Sequence, residues 1–570
     1  MHDDSDSPAG RTNLQDNYAA ADLEKLGYKQ EMTRSRGLFH ILFMTLAIMA
    51  VPYGLAAPIA TSLVAGGPAT IIWGWVFVSC LTVPLACSLG EICAKYPTSA
   101  GAYYWCFRLA SPRHRLLFSW INGWLTMVGV WTIALSVTFG TAQLIVAGAG
   151  IYLPDWVVKP WQTCEFEQYS CDEIATYFFG RYFEDLIFLA VTGVTVIFCV
   201  FFNRILPTID VISAYWTLLG VIVTLVCVSV KAAAGRHSAA FALGHFDPSP
   251  SGWTPGWAFF IGLLPVRHRF LSVTHGPILT SSYTFSAIGM IASMAEEVHN
   301  PSSDLPRAIV WSIPIGFLTG VFFLVPILFT LPDISTLLAV ASGQPVGLMF
   351  ELIMGSKGGG FGLWFIIFGI GMFCAISISC AASRATWAFA RDAAIPFHHT
   401  FATINKTLAG GIPLNAILLS TVIQLLLGLI YLGSSAAFNA FVGVAVMCLG
   451  ASYAMPVAIS LANGRKDMAD SPFGLGRVGV FLNSVAVVWA MFELILFSMP
   501  AVLPTTPTTM NYAPVVFVGF AVISAVWYLI SGRYHYKGPS LPEETTSSVP
   551  EESAKQGNDT PELEQKEKVE

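Results

Sequence analysis

Ala50-Val51-Pro52-Tyr53-Gly54-Leu55 lies inside an apolar stretch that has no Lys, Arg, Asp or Glu from Gly37 to Gly90. A second apolar stretch, Trp257 to Ala295, is interrupted by Gly262 and Pro265, and again by Gly289 in Phe285-Ser286-Ala287-Ile288-Gly289. Proline removes a backbone donor and glycine weakens a helix. In a bilayer, the groups freed by such a break persist only where protein or a cavity satisfies them.

The uncharged run is too long for one membrane span and fits two helices of about 20 residues each. Continued along the chain, the pattern gives twelve spans, at about 37–67, 70–93, 116–150, 183–202, 208–231, 257–295, 308–331, 357–390, 413–432, 436–460, 478–500 and 512–532. The two interrupted stretches are the first and sixth of these. Breaks at matching places in two halves point to a binding site near the midplane. For span one alone, a kink in a packed helix is the competing reading, because proline and glycine are common in membrane helices.

Composition supports a membrane protein: 55% of residues are apolar and 11% charged, with mean hydropathy +0.64. Soluble domains carry about 25% charged residues. Much of the acid behind the net charge of −6 sits in the polar tails, 1–36 and 533–570. The C-terminal tail, rich in Glu, Pro, Ser and Thr, is expected to be disordered. No basic face for nucleic acid is visible. Nor is there a nucleophile–base pair, a metal-ligand cluster or a phosphate loop, so no enzyme, metal or cofactor is expected.

With the N-terminus inside, short inner loops hold twelve Lys and Arg against five in outer loops, which places both termini in the cytoplasm. Of the eleven cysteines, most lie in or at the ends of spans, where a thiol is a small apolar group. Cys164 and Cys171 lie in an outer loop, where an oxidising environment permits a disulfide; spacing alone leaves that open.

Four further segments follow in order. They are Leu26-Gly27-Tyr28-Lys29-Gln30-Glu31, the run from Leu89-Gly90-Glu91 through Tyr96-Pro97-Thr98-Ser99-Ala100-Gly101, Glu296-Glu297-Val298-His299-Asn300-Pro301, and Ser383-Arg384-Ala385-Thr386-Trp387 through Arg391-Asp392. Together they resemble the amino acid–polyamine–organocation superfamily, and within it the fungal GABA, choline and amino-acid permeases. The resemblance covers about residues 22–535. It implies an all-α integral membrane fold of two inverted five-helix repeats, 37–231 and 257–460, plus two helices in 478–532. It also implies a midplane substrate site where spans one and six unwind, with Val51, Pro52, Tyr53, Gly54 and Leu55 facing Phe285, Ser286, Ala287, Ile288 and Gly289.

Many such permeases read Tyr-Thr-Phe-Thr-Gly-Tyr-Asp along span six, where this chain reads Tyr283-Thr284-Phe285-Ser286-Ala287-Ile288-Gly289. The acid is replaced by Gly289. The Gly289-Met290 pair is similar to choline-type members, and Tyr53, Phe285 and Tyr283 are candidate rings for cation–π binding of a quaternary amine. Ordinary packing is the alternative. Glu91, Glu296 and Glu297 near Arg307, Arg384 and Arg391 are candidates for an inner gate, or for structural ion pairs. Glu493, inside span eleven, is a suspect for proton coupling or for packing. The expected function is uptake of a small amine or amino acid across a plasma membrane, with H+ as the coupling ion. The alternative is a nutrient sensor on the same fold.

One segment disturbs the pattern. Trp257–Pro265 and Tyr283–Ala295 together make 22 residues, one full span, but Val266–Ser282 separates them by 17. Each of Arg267 and Arg269 would cost roughly 2.5–3.5 kcal/mol at the centre of a span. The segment reads as a retained intron, since its length is a multiple of three and a valine codon begins with GT; a genuine loop at the helix break is the alternative. Transcript sequencing should show it absent, and deleting residues 266–282 should improve surface expression without loss of transport. Retention in the transcript together with loss of transport on deletion would make it a true element.

Overall fold

The computed structural model describes residues 8–540, except 65, 154–170, 248, 263–280, 341–343, 408–410, 434, 501–502, 504 and 506–509. The regular elements of these residues are helices. Among the described residues, nine helices are long and apolar enough to cross a membrane. Leu38–Ala56, Pro68–Lys95, Arg115–Gly150, Asn203–Lys231, Pro301–Phe329, Lys357–Arg391, Ala440–Ala462, Val478–Leu496 and Ala513–His535 match spans one, two, three, five, seven, eight, ten, eleven and twelve. The shorter apolar helices Leu186–Phe201 and Leu414–Gly428 fall at spans four and nine. Span six is divided into Pro255–Gly262, Ser281–Phe285 and Ile288–Glu297.

Cys164, the side chain of Cys171, residues 266–280 of the expected insert and residues 541–570 of the expected disordered tail lie outside what is described. Ser281 and Ser282, assigned to the insert from the sequence, instead begin the helix Ser281–Phe285 and are buried.

Four of the first five spans pack against the one five places later: two on seven, three on eight, four on nine, and the two parts of span one on those of span six. An odd offset reverses direction through the bilayer, so the paired helices are inverted counterparts. Spans three and eight, 36 and 35 residues long, form the spine. Span seven lies across span two with Gly320 against Trp75; a Cβ there would meet the indole at 2.4 Å, so only glycine permits the approach. Spans ten, eleven and twelve close one side, eleven on two and ten, twelve on three and ten.

The N-terminal segment is part of the packed structure. After a helix at Pro8–Lys25, the chain runs beneath the bundle and joins the end of span six: Ser35 and Arg36 amides donate to Glu297 O at 2.9 and 3.0 Å, and His299 N donates to Arg36 O at 2.9 Å. The described C-terminal end lies on the same face, where Tyr536 is buried and shares a 2.7 Å hydrogen bond with Ser119. The tail expected from residue 533 is therefore packed at least as far as Tyr536.

The Tyr28 and Tyr103 hydroxyls both donate to Asp392 Oδ2, each at 2.8 Å. Burial pushes the Asp392 carboxyl up to about 6, against the opposing pull of Arg391 and of the two hydroxyls. An unfolded aspartate titrates near about 3.9. The folded chain thus holds this proton more tightly, and its stability falls as pH rises between those values. Asp392→Asn should gain thermal stability relative to the native protein as pH rises from about 4 to about 7. Melting curves that run parallel across that range would refute it.

Candidate functional site

Span one breaks at a single residue. Leu38–Met49 ends at Ala50, which has φ 43° and ψ 49°, and Val51–Ala56 is helical again. The break thus precedes the expected Val51–Leu55, which forms the start of the second half-helix. The cause is local. Pro52 has no N–H to donate to the Ile48 carbonyl four residues back, so a continuous helix would leave that oxygen unpaired. Cys374 of span eight supplies the donor, its thiol reaching Ile48 O at 3.2 Å.

Span six breaks at Ser286–Ala287. The Ser286 amide and hydroxyl both turn back onto Tyr283 O, at 3.2 and 2.8 Å. The chain resumes as a ten-residue 3-10 helix, Ile288–Glu297. Such a run is unusually long and marks strain or a hinge. Gly289 lies in this helix rather than at the break.

The two breaks meet. A Cβ on Gly54 would fall 2.5 Å from Thr284 Oγ1, so a side chain at 54 cannot coexist with span six as placed. Beside them is a small cavity of about 10 Å³ between spans one, three, six and eight, bordered by Ala50, Tyr53, Gly54, Tyr283, Thr284 and Ala287 among others. That is room for about one water. Tyr53 donates to Val137 O at 3.2 Å, and Tyr283 shares a 2.8 Å hydrogen bond with Ser136. Of the expected residues, Tyr53, Gly54 and Ala287 border this cavity.

Val51, Pro52, Leu55 and Ile288 are buried in packing around it, and Ser286 caps the turn. Phe285 does not join the expected aromatic box. Its ring stacks on Trp75 of span two at 4.7 Å, 16° from parallel. Gly289 borders a second cavity, described below.

At the end of the bundle where the N-terminal segment packs, the charges form buried pairs. Glu297 accepts from Arg384 at 2.8 Å and from Arg36 at 3.2 Å, and Arg36 also reaches Asp210 at 2.6 Å. Two guanidiniums and two carboxylates thus balance, tying together spans one, five, six and eight. Asp210 is held further by Ser377 at 3.0 Å, and Arg384 by Asn203 at 2.6 Å. Glu296 pairs with Arg391 at 3.0 Å, whose guanidinium lies between the rings of Tyr28 and Trp387, 4.1 and 4.4 Å from their centres.

Two expected gate residues fall elsewhere. Glu91 binds Arg465 through both oxygens, at 2.6 and 2.7 Å, and accepts from Leu475 N at 2.8 Å, securing the loop before span eleven. Arg307 is exposed and stands outside the cluster. Sequence reasoning missed Arg36, Asp210 and Cys374. Asp210, an acid just inside span five, carried a readable signal; Cys374, one thiol among many in spans, carried none.

Glu493, on span eleven, faces Ser282 of span six and Gly450 of span ten, with no cation paired to it among the described residues.

Comparison with known proteins agrees with this architecture. Residues 37–520 match the family described as Amino acid permease. An "Amino-acid permease BAT1 homolog" of Oryza sativa subsp. japonica is 32% identical over 536 residues, covering 91% of this chain and 95% of the relative. A "Choline transporter" of Saccharomyces cerevisiae is 27% identical over 89% of this chain and 83% of the relative. A "Polyamine transporter TPO5" of the same yeast is 28% identical over 93% and 80%. The paired broken spans, the inverted counterparts and these matches together make the chain a member of the amino-acid permease family of the amino acid–polyamine–organocation superfamily.

Proposed function

We propose that this protein is a proton-coupled secondary transporter that takes up a small amine or amino acid by alternating access across a plasma membrane, with both termini in the cytoplasm. The observation that carries the reading is the meeting of two helix breaks, at Ala50 and Ser286–Ala287, beside a small cavity. Broken half-helices of two repeats supply the polar backbone ends that hold a substrate's charged groups. The relatives' names, an amino-acid permease, a choline transporter and a polyamine transporter, support the substrate class.

The cavity, of about 10 Å³, has to widen to admit such a substrate. Tyr53 and Tyr283 offer aromatic walls, and among the described residues no carboxylate side chain borders the cavity. Cargo charge would then be met by half-helix ends and ring faces rather than by a fixed acid. Glu296, Glu297, Arg36, Arg384 and Arg391 would form the inner gate, whose pairs must separate for release. Glu493 supports the choice of proton: it is an acid within a span, without a charged partner among the described residues, beside the outer part of the broken span six.

Uptake should be measured with GABA, choline, polyamines and neutral amino acids in cells lacking their own permeases. Binding without uptake by a surface-expressed protein would favour a sensor. Gly54→Leu should lower uptake of the preferred substrate at least about tenfold, an order-of-magnitude figure for displacing a packed segment, while the protein still reaches the surface. Normal uptake would remove span one from the site. Glu493→Gln should flatten the dependence of uptake on external pH; an unchanged pH profile would exclude this residue as the proton carrier.

A further inference from the structure

A second small space, of about 20 Å³, lies next to the midplane cavity, and its place in the bundle is regular. Along span three it is bordered by Met127 and Val130, where the midplane cavity is bordered by Ile133 and Val137. Along span eight the corresponding residues are Ala385 and Ile378, and along span six Gly289 and Ala287. All three helices place the second space nearer the inner end, about one to two turns away at 1.5 Å per residue. Beneath it sit the pairs that close the inner end, with Glu296 N donating to Ser99 Oγ at 3.4 Å and Glu296 bound to Arg391.

The walls of this space are almost fully spoken for. Ser293 Oγ donates to Met290 O and Ala381 O, Thr126 Oγ1 donates to Asn122 O, and Tyr103 donates to Asp392. Tyr453 of span ten is different. It is 3% exposed, it borders the space, and its hydroxyl has no hydrogen-bond partner among the described residues. The hydroxyl lies beside the Gly289 and Met290 amides without bonding geometry to either. Its ring occupies the room a side chain at 289 would need: a Cβ there would be 2.5 Å from the ring. A buried phenol left unpaired costs about 1–3 kcal/mol unless some state of the protein offers it a partner.

We propose that this space is a second binding station on the inward path, at which the Tyr453 hydroxyl takes the hydrogen-bonding head group of the small amine or amino acid after it leaves the midplane site. The proposal rests on the transport reading above. The station is shut in this conformation and widens when Glu296 and Glu297 part from their arginines. A phenol both donates and accepts, so it serves an ammonium, a carboxylate or a hydroxyl head without selecting among them. It thereby lowers the barrier between the site and the cytoplasm and sets affinity on the cytoplasmic side alone.

The test uses the full chain in proteoliposomes of known orientation, with the preferred substrate of the uptake panel. Tyr453→Phe keeps the ring that packs on Gly289 and removes only the hydroxyl. It should raise the half-saturating substrate concentration on the cytoplasmic side about tenfold, as expected for one lost hydrogen bond to a charged or polar head. The external KM should stay as in the native protein, and the melting temperature should not fall, since the hydroxyl removed is an unpaired one. A cytoplasmic-side value that does not move, or equal rises on both sides, overturns the station. Independently, Met290→Cys alkylated from the cytoplasmic side, and read on its own peptide, should be protected by substrate; unprotected labelling also overturns it. A native protein that moves no substrate in the same vesicles defeats the transport reading itself, a result separable from any behaviour of the variants.

Discussion

A helix cannot stop inside a bilayer unless something replaces the hydrogen bonds it gives up. The arrangement of this bundle follows from that requirement. Pro52 cannot serve the Ile48 carbonyl, so a thiol from span eight does, and span eight must lie against the break in span one. The turn in span six is capped by its own Ser286, and the 3-10 segment after it is tied to span eight through Ser293 and the Ala381 carbonyl. Span eight thus satisfies groups beside both breaks, and its counterpart, span three, supplies the opposite wall of the cavity. The glycine at 54 then lets the two interrupted helices touch.

The end of the bundle that carries the N-terminal segment answers a second cost, that of charge in a poorly hydrated place. Arg36, Asp210, Glu297 and Arg384 are nearly inaccessible to solvent, and each faces at least one opposite charge. Removing Arg36 would leave Asp210, and removing Glu297 would leave Arg384, buried without its ion pair, at about 3–5 kcal/mol. The balanced cluster is firm while closed, yet each charge regains hydration if the spans separate. That compensation suits an end that opens and shuts, because neither state leaves an ion stranded. The N-terminal segment belongs to this device through Arg36 and through Tyr28, which covers Arg391 and holds Asp392.

The candidate site is less aromatic and more tightly filled than its sequence suggests. Phe285 faces Trp75 because the helix Ser281–Phe285 ends with that residue turned towards span two. Where a permease with an acid at position 289 would place a carboxylate, this chain places the edge of Tyr453. The Tyr453 ring fills the room that a side chain at 289 would need, and residue 289 borders the second space rather than the cavity between the breaks.

The number of spans, their order, the pairing of the first with the sixth and the family were legible in the chain. Each depends on local composition: apolar length, proline and glycine within it, and short motifs at span ends. The break in span one was legible within a turn for the same reason, since Pro52 removes a donor wherever it stands. The sequence could not show that Ala50 rather than Gly54 takes the left-handed conformation, that Cys374 heals the break, or that Glu91 binds Arg465 while Glu297 binds Arg36 and Arg384. Partners for a freed carbonyl or a buried charge come from helices separated by tens to hundreds of residues. Which of several cations or donors arrives is decided only when the helices pack, because hydrogen bonds and ion pairs act over a few ångströms while the sequence records only order along the chain.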